Sequence, residues 1–222
     1  MDAERGDRPS NEEFFGISDV ARYYEGRLRA HGATAPGVGW KDLDSQVLRF
    51  RQFDGLVGLS RFESVLDYGC GTGDYLTYLR ESGFTGRYCG FDISETMIET
   101  ARQRHSGSVR SRFVYDESAL ECASAVIGSG IFNVKGESSP MTWRRYIEDT
   151  LGRMWDLSTE AMAFNVLSLV SDPERRSANL SYSDPGEVLR YCMQKFSPHC
   201  YLNHCYGLFD FTVSIFRSPV LV

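Results

Sequence analysis

In its 222 residues the chain has no apolar run near the ~20 that a membrane-crossing helix needs. It has no basic surplus either. Against 30 Asp and Glu stand 24 Lys and Arg, a formal net charge of -6, whereas a surface that binds a nucleic-acid backbone needs a basic stripe. The six cysteines (Cys70, Cys89, Cys122, Cys192, Cys200, Cys205) form no C-x-x-C pair and have irregular spacing, so they read as reduced, mostly buried thiols. Met1 to Glu13 is polar and charged and lacks the apolar centre of a secretory leader. There is no internal repeat. These absences lead to the expectation of a soluble, cytoplasmic monomer or homodimer that works on a small molecule, with no nucleic-acid or membrane partner.

What is present suits one α/β unit. The chain is 42% hydrophobic and 24% charged, enough to bury a normal core. Apolar spacing predicts helices over Ser18–His31 and Leu43–Leu59, then strands at Ser64–Tyr68, Arg87–Asp92, Arg112–Tyr115, Ala123–Gly128 and Ala161–Leu167. Helices at Asp74–Ser82, Glu95–Arg104 and Trp143–Leu157 fall between them. Strands alternating with helices imply a parallel sheet covered on both faces. After a helix at Pro185–Lys195, the runs His199–Tyr206 and Leu208–Phe216 break the rhythm, with Gly207 as a turn, and predict an antiparallel hairpin at the sheet edge. The expected organisation is a tail and helical cap over residues 1–60 and a ligand-binding domain over 61–222.

The chemistry concentrates in Val65-Leu66-Asp67-Tyr68-Gly69-Cys70-Gly71-Thr72-Gly73-Asp74. An apolar strand enters a glycine turn that opens a helix, and glycines let the backbone turn tightly and approach a ligand. The free N–H groups at such a helix start favour an anion. The glycines fall as G-x-G-x-G with Asp74 where a dinucleotide fingerprint wants its third glycine, which counts against a nicotinamide cofactor, and no Gly-Lys-Ser/Thr follows to make a P-loop. Asp92 closes the next strand about 20 residues on, where an acid accepts hydrogen bonds from both ribose hydroxyls. The plainer reading of Asp92 is a cap on the helix that follows.

These two segments resemble the first two motifs of the class I S-adenosylmethionine (SAM) dependent methyltransferases. The resemblance implies a Rossmann-like fold with a mixed seven-stranded sheet, SAM as cofactor and S-adenosylhomocysteine as product. It implies cofactor contacts at Asp67, Gly69, Cys70, Gly71 and Asp92, with Asp67 suited to the cationic ammonium and the turn to the methionine carboxylate. Ile93 and Met97 offer apolar surface to adenine, Asp116 (or Glu117) matches the acid near the adenine amine, and Ser129 opens the segment Ser129-Gly130-Ile131-Phe132-Asn133 at the methyl-transfer end. Arg49 is read either as a partner of the cofactor carboxylate or as a surface salt bridge. The Asn/Asp-Pro-Pro-aromatic signature of amino-methylating enzymes is missing after strand four.

For a general base the candidates are His199 and His204, each weighed against an ordinary structural role, as are His31 and His105. A zinc reading of His199-Cys200-x-x-x-His204-Cys205 fails on strand alternation, which puts no three ligands on one face. Tyr24, Trp40, Phe132, Asn133, Trp143 and Tyr182 are the substrate candidates, weighed against core packing. Asn165, polar inside Ala161-Met-Ala-Phe-Asn-Val-Leu, predicts a specific hydrogen-bond partner. The competing functional readings are a SAM-binding but inactive partner domain and a nicotinamide-dependent enzyme.

Overall fold

The computed structural model describes residues 17–57 and 61–220. The tail expected over Met1 to Asn11 and the last residues of the second helix lie outside them. The helices are α1 (Ile17–His31), α2 (Leu43–Val57), α3 (Asp74–Glu81), α4 (Glu95–Arg104), α5 (Pro140–Leu157) and α6 (Pro185–Lys195). The strands are β1 (Ser64–Tyr68), β2 (Arg87–Phe91), β3 (Ser111–Val114), β4 (Ala123–Gly128), β5 (Ser158–Ser168), β6 (Tyr182–Ser183), β7 (Cys200–Asn203) and β8 (Asp210–Phe216).

One sheet runs β3-β2-β1-β4-β5-β8-β7, with the short β6 pairing the end of β5. The expected seven-stranded mixed sheet is therefore present, and β6 is an addition. The pairs β3 through β5 are parallel, while β8 lies antiparallel between β5 and β7. The closing hairpin differs in detail from the sequence reading. No tight turn forms at Gly207, because six residues, 204–209, separate β7 from β8.

Period-two alternation divides the core into two layers. Val65, Ala125, Ile127, Ala161 and Ala163 face α2, α3 and α4, where Phe50, Phe53, Tyr75, Leu76, Leu79 and Ile98 are buried. Leu66, Val126, Met162 and Phe164 face α5 and α6 with Leu151, Met154 and Cys192. Each fully buried Phe or Leu stabilises the fold by roughly 1.5–3 kcal/mol. Asp67 falls on the first face and Tyr68 on the second. α2 packs on β5 and β8 and buries Phe50 and Phe53 in the core, in the same helical layer as α3 and α4.

The helices start where local chemistry demands. Ser94, Ser139 and Asp184 accept from Met97, Thr142 and Glu187 amides at the N-termini of α4, α5 and α6, and Pro140 and Pro185 occupy the first helical turn. Ser94, not Asp92, is thus the cap of α4. Asp184→Ala removes the 2.9 Å bond to the Glu187 amide and is expected to cost about 1 kcal/mol. A fall in the urea midpoint at constant slope measures this, and an unchanged midpoint would mean that water replaces the cap without loss.

Candidate active site

The strand order sets the site. β1 has β2 on one side and β4 on the other, so the connections leaving β1 and β4 diverge and open a crevice beyond their carboxyl ends. A cavity of about 730 Å³ lies there, lined by Asp67, Gly69 and Gly71 from the first strand and its turn and by Ser129, Gly130 and Ile131 after β4. Asp92, Ile93 and Met97 complete one half, while α1 and the loop after it supply Tyr24, Val38 and Trp40. The volume falls within the range of small-molecule sites.

Two glycines are demanded by close approach. Gly69 has φ +83°, and a Cβ there would stand 2.2 Å from Ile131 Cγ2. Gly130 has φ +74°, and its Cβ would stand 2.5 Å from the Trp40 ring. A side chain at either position meets both backbone strain and a clash. Asn165 meets its expected partner in this region: its Oδ1 accepts the Gly130 amide at 2.7 Å and so holds the loop after β4.

Four carboxylates line the cavity; Asp74 and Asp210 are each paired with an arginine, and Asp67 and Asp92 are not. Asp67 is 2% exposed; its pKa is raised to about 7, because burial and the charges of Asp92 and Asp74 push it up more than the 2.6 Å bond from the Tyr88 hydroxyl lowers it. Asp92 accepts the Gly71 amide on Oδ2 and the Ser94 amide on Oδ1, both at 2.9 Å. Burial raises its pKa, those two amides lower it, and Glu25 raises it. A carboxylate has about four lone-pair sites, so two remain on Asp92 for a ligand. Glu25 accepts from Ser94 Oγ at 2.8 Å and so joins α1 to the start of α4 beside Asp92. Burial also pushes the Tyr24 hydroxyl well up, which keeps it neutral.

Four amides of the glycine turn are engaged within the protein. The Gly69 and Cys70 amides donate to the Phe91 carbonyl, Gly71 to Asp92 and Gly73 to the Cys70 carbonyl. The anion at the start of α3 is the chain's own Asp74, which accepts from Thr72 Oγ1 at 3.0 Å and pairs with Arg104 at 2.9 Å. Arg49 lines the cavity, as Cys70 does, but is no surface salt bridge: it is buried and paired with Asp210.

Of the other sequence candidates, Tyr24, Trp40, Asn133 and Tyr182 line the cavity. Asp116 does not. It is exposed and its Oδ1 takes the amide and hydroxyl of Ser118 as the cap of a short 3-10 turn. The alternate, Glu117, accepts from the Tyr68 hydroxyl and pairs with Arg153 at 3.0 Å, so only Tyr68 of that cluster reaches the cavity. Phe132 is 1% exposed and packs on Phe164. Trp143 is also buried, with its Nε1 donating to the Phe132 carbonyl at 3.2 Å. Both serve the core behind the site. His199 lies at the far end of the sheet, where its carbonyl accepts the Phe216 amide. His204 is exposed and its ring packs against Phe211. Among the described residues no histidine lines the cavity. His105, expected to be solvated, is half-buried with its ring stacked on Phe113.

Sequence reasoning did not assign Gln46, Tyr75, Asp210 or residues 171–181 to the site. Tyr75 and Gln46 reach the cavity from α3 and α2, and Ser171, Arg175, Asn179 and Leu180 enclose its outer half. That segment is tied down by Ser181 N donating to the Asn133 carbonyl at 2.8 Å and by the Val134–Leu180 bridge. An acid opening the apolar strand Asp210–Phe216 was a readable signal; the folding back of residues 171–181 was not.

Comparison with known proteins agrees with this geometry. A family model described as a methyltransferase domain matches residues 59–116. Rv1506c of Mycobacterium tuberculosis (strain ATCC 25618 / H37Rv), assigned by name as a methyltransferase, is 34% identical over 155 residues, covering 70% of this chain and 93% of that one. Magnesium protoporphyrin IX methyltransferase (ChlM) from Synechocystis PCC 6803, solved with bound SAM, superimposes with a TM-score of 0.64 at 16% identity over 94% of this chain and 100% of its own. The plantazolicin methyltransferase BpumL, solved with a pentazolic desmethylPZN analog and S-adenosylhomocysteine, gives 0.58 at 13% identity over 91% of this chain and 98% of its own. With the order of its strands, its glycine turn and this likeness to Rv1506c, the chain belongs to the methyltransferase family and has the class I fold.

Proposed function

We propose that this protein binds SAM in the cavity at the β1/β4 crevice and transfers its methyl group to a small molecule. The observation that carries the reading is the pair of carboxylates, Asp67 and Asp92, on one cavity wall at the ends of adjacent strands. Their chemistry suits the two ends of the cofactor. Asp92, with two acceptor sites left, matches a ribose diol, and Asp67 matches an ammonium group whose positive charge offsets the cost of ionising a buried acid. Ile93 and Met97 offer apolar surface for adenine. SAM supplies the methyl group as an electrophilic sulfonium.

The protein's part is to orient the reactants and exclude water. Tyr24 and Trp40 line the cavity from α1 and the loop after it, and Ser129 to Ile131 line it from the loop after β4. Asn133, Tyr182, Asn179 and Arg175 line the outer half and would receive the acceptor. Its enclosure by the segment 171–182 favours a small acceptor over an open polymer.

Calorimetry with SAM, S-adenosylhomocysteine and NAD tests the reading on the intact chain. Micromolar binding of the first two with none of NAD is the expected result. Binding of NAD alone would replace it with a nicotinamide enzyme, and binding of none would leave a scaffold that holds no cofactor.

A further inference from the structure

With the Gly69, Cys70, Gly71 and Gly73 amides engaged inside the protein, a charged side chain on the cavity wall is the stronger donor for an entering carboxylate. Arg49 is the buried cation on that wall. It comes from α2, and its partner Asp210 opens β8, 161 residues later. Nε donates to one oxygen of Asp210 and Nη2 to the other at 3.1 Å. Nη1 donates to the Ser45 carbonyl at 2.8 Å, and the Trp40 ring lies 4.3 Å from the guanidinium carbon. The Asp210 side chain is fully buried and that of Arg49 is 10% exposed.

A guanidinium carries five N–H groups in a fixed plane. Three are engaged here, and among the described residues one hydrogen on each Nη has no protein acceptor. Two such hydrogens are what both oxygens of a carboxylate require. The forked contact with Asp210 fixes the plane of the guanidinium, and the Trp40 ring covers one of its faces. Since the charges of Arg49 and Asp210 cancel, any selectivity at this point comes from the direction of the two remaining N–H groups rather than from net positive charge.

We propose that Asp210 is a positioning residue that holds Arg49 so that its two remaining N–H groups receive the carboxylate at the amino-acid end of SAM. The proposal rests on the cofactor reading above and goes beyond it by naming the residue that sets the donor. Lysine at position 49 would not serve, because a point charge cannot bond Asp210 through a fork and a second carboxylate at once.

The test compares two probes by calorimetry. S-adenosylhomocysteine carries the amino-acid end, and 5′-methylthioadenosine keeps the nucleoside and lacks that end. Asp210→Asn is expected to weaken the first about tenfold and leave the second unchanged, and Asp210→Glu to recover part of the loss. Because Asp210→Asn leaves a buried guanidinium without its counter-charge, the double variant Arg49→Gln/Asp210→Asn is measured beside Arg49→Gln. The two should lose the same preference for S-adenosylhomocysteine, since Asp210 acts only through Arg49. Equal weakening of both probes, or none, overturns the positioning role. Wild-type protein that binds neither probe overturns the cofactor reading and this proposal with it.

Discussion

Asp92→Ala is expected to weaken binding of SAM and S-adenosylhomocysteine by at least about a hundredfold, since a hydrogen bond to a charged group contributes roughly 1.5–3 kcal/mol and a ribose diol makes two. The carboxylate is placed for this by its own two backbone bonds, to the Gly71 and Ser94 amides. Those bonds fix its plane at the end of β2 and leave its other lone pairs toward the cavity. They also tie the glycine turn to the start of α4, so the variant loses an orienting strut along with a ligand contact. Asp92→Asn keeps the size of the side chain, but its nitrogen must face one of the two backbone amides, so the turn loses one of its two ties and binding should remain weak. Calorimetry reads the affinity and thermal unfolding reads the turn. If Asp92→Ala stays folded and binds within about threefold of wild type, Asp92 is only a strut and the diol assignment fails.

How much of this was legible in the sequence follows from what each residue answers to. The β1 turn, the end of β2 and the succession of strands and helices along the chain were readable because local patterns decide them: apolar periodicity, glycines at a turn, and an acid at a strand end. Helices α4 and α6 were readable to the residue because Ser94, Asp184 and Pro185 mark their starts. What stayed hidden depends on which partner captures a side chain. Asp116 looks free in sequence but takes Ser118 as a local cap. Phe132 and Trp143 are aromatic near the site, yet the sheet beneath them is the larger apolar surface and draws them inward. Arg49 could be read as bound to ligand or to solvent, whereas its partner lies on β8 at the other end of the chain. The part of the cavity wall after β5 was the least legible, because residues 171–181 have no period of their own and are held by scattered bonds, among them those to residues 133–136.

Asp67→Asn should stabilise the free protein above pH 7 while it weakens the cofactor. Asp67 is buried, and its pKa in the folded chain is about 7 against an ordinary 3.8. Below pH 4 the acid is protonated whether or not the chain is folded, and burial carries no electrostatic penalty. Between about 4 and 7 the unfolded chain releases the proton and the folded chain keeps it, so stability falls as pH rises. Above about 7 both forms are ionised and the full penalty is present, about 4 kcal/mol for a shift of this size. Asparagine keeps the shape, still accepts the bond from Tyr88 and carries no charge, so the variant should gain up to about 10 °C in melting temperature at pH 8 and little at pH 4. The same substitution removes the negative charge opposite the proposed ammonium, and S-adenosylhomocysteine binding should drop at least tenfold. Wild-type affinity should rise with pH toward about 7 and then level, as Asp67 loses its proton without the ligand's help; in Asp67→Asn that dependence should vanish. Denaturation and calorimetry across pH 4 to 8 measure both. A variant no more stable than wild type at pH 8 would mean that Asp67 is ionised at little cost, which removes the strain that the proposed ammonium group is there to relieve.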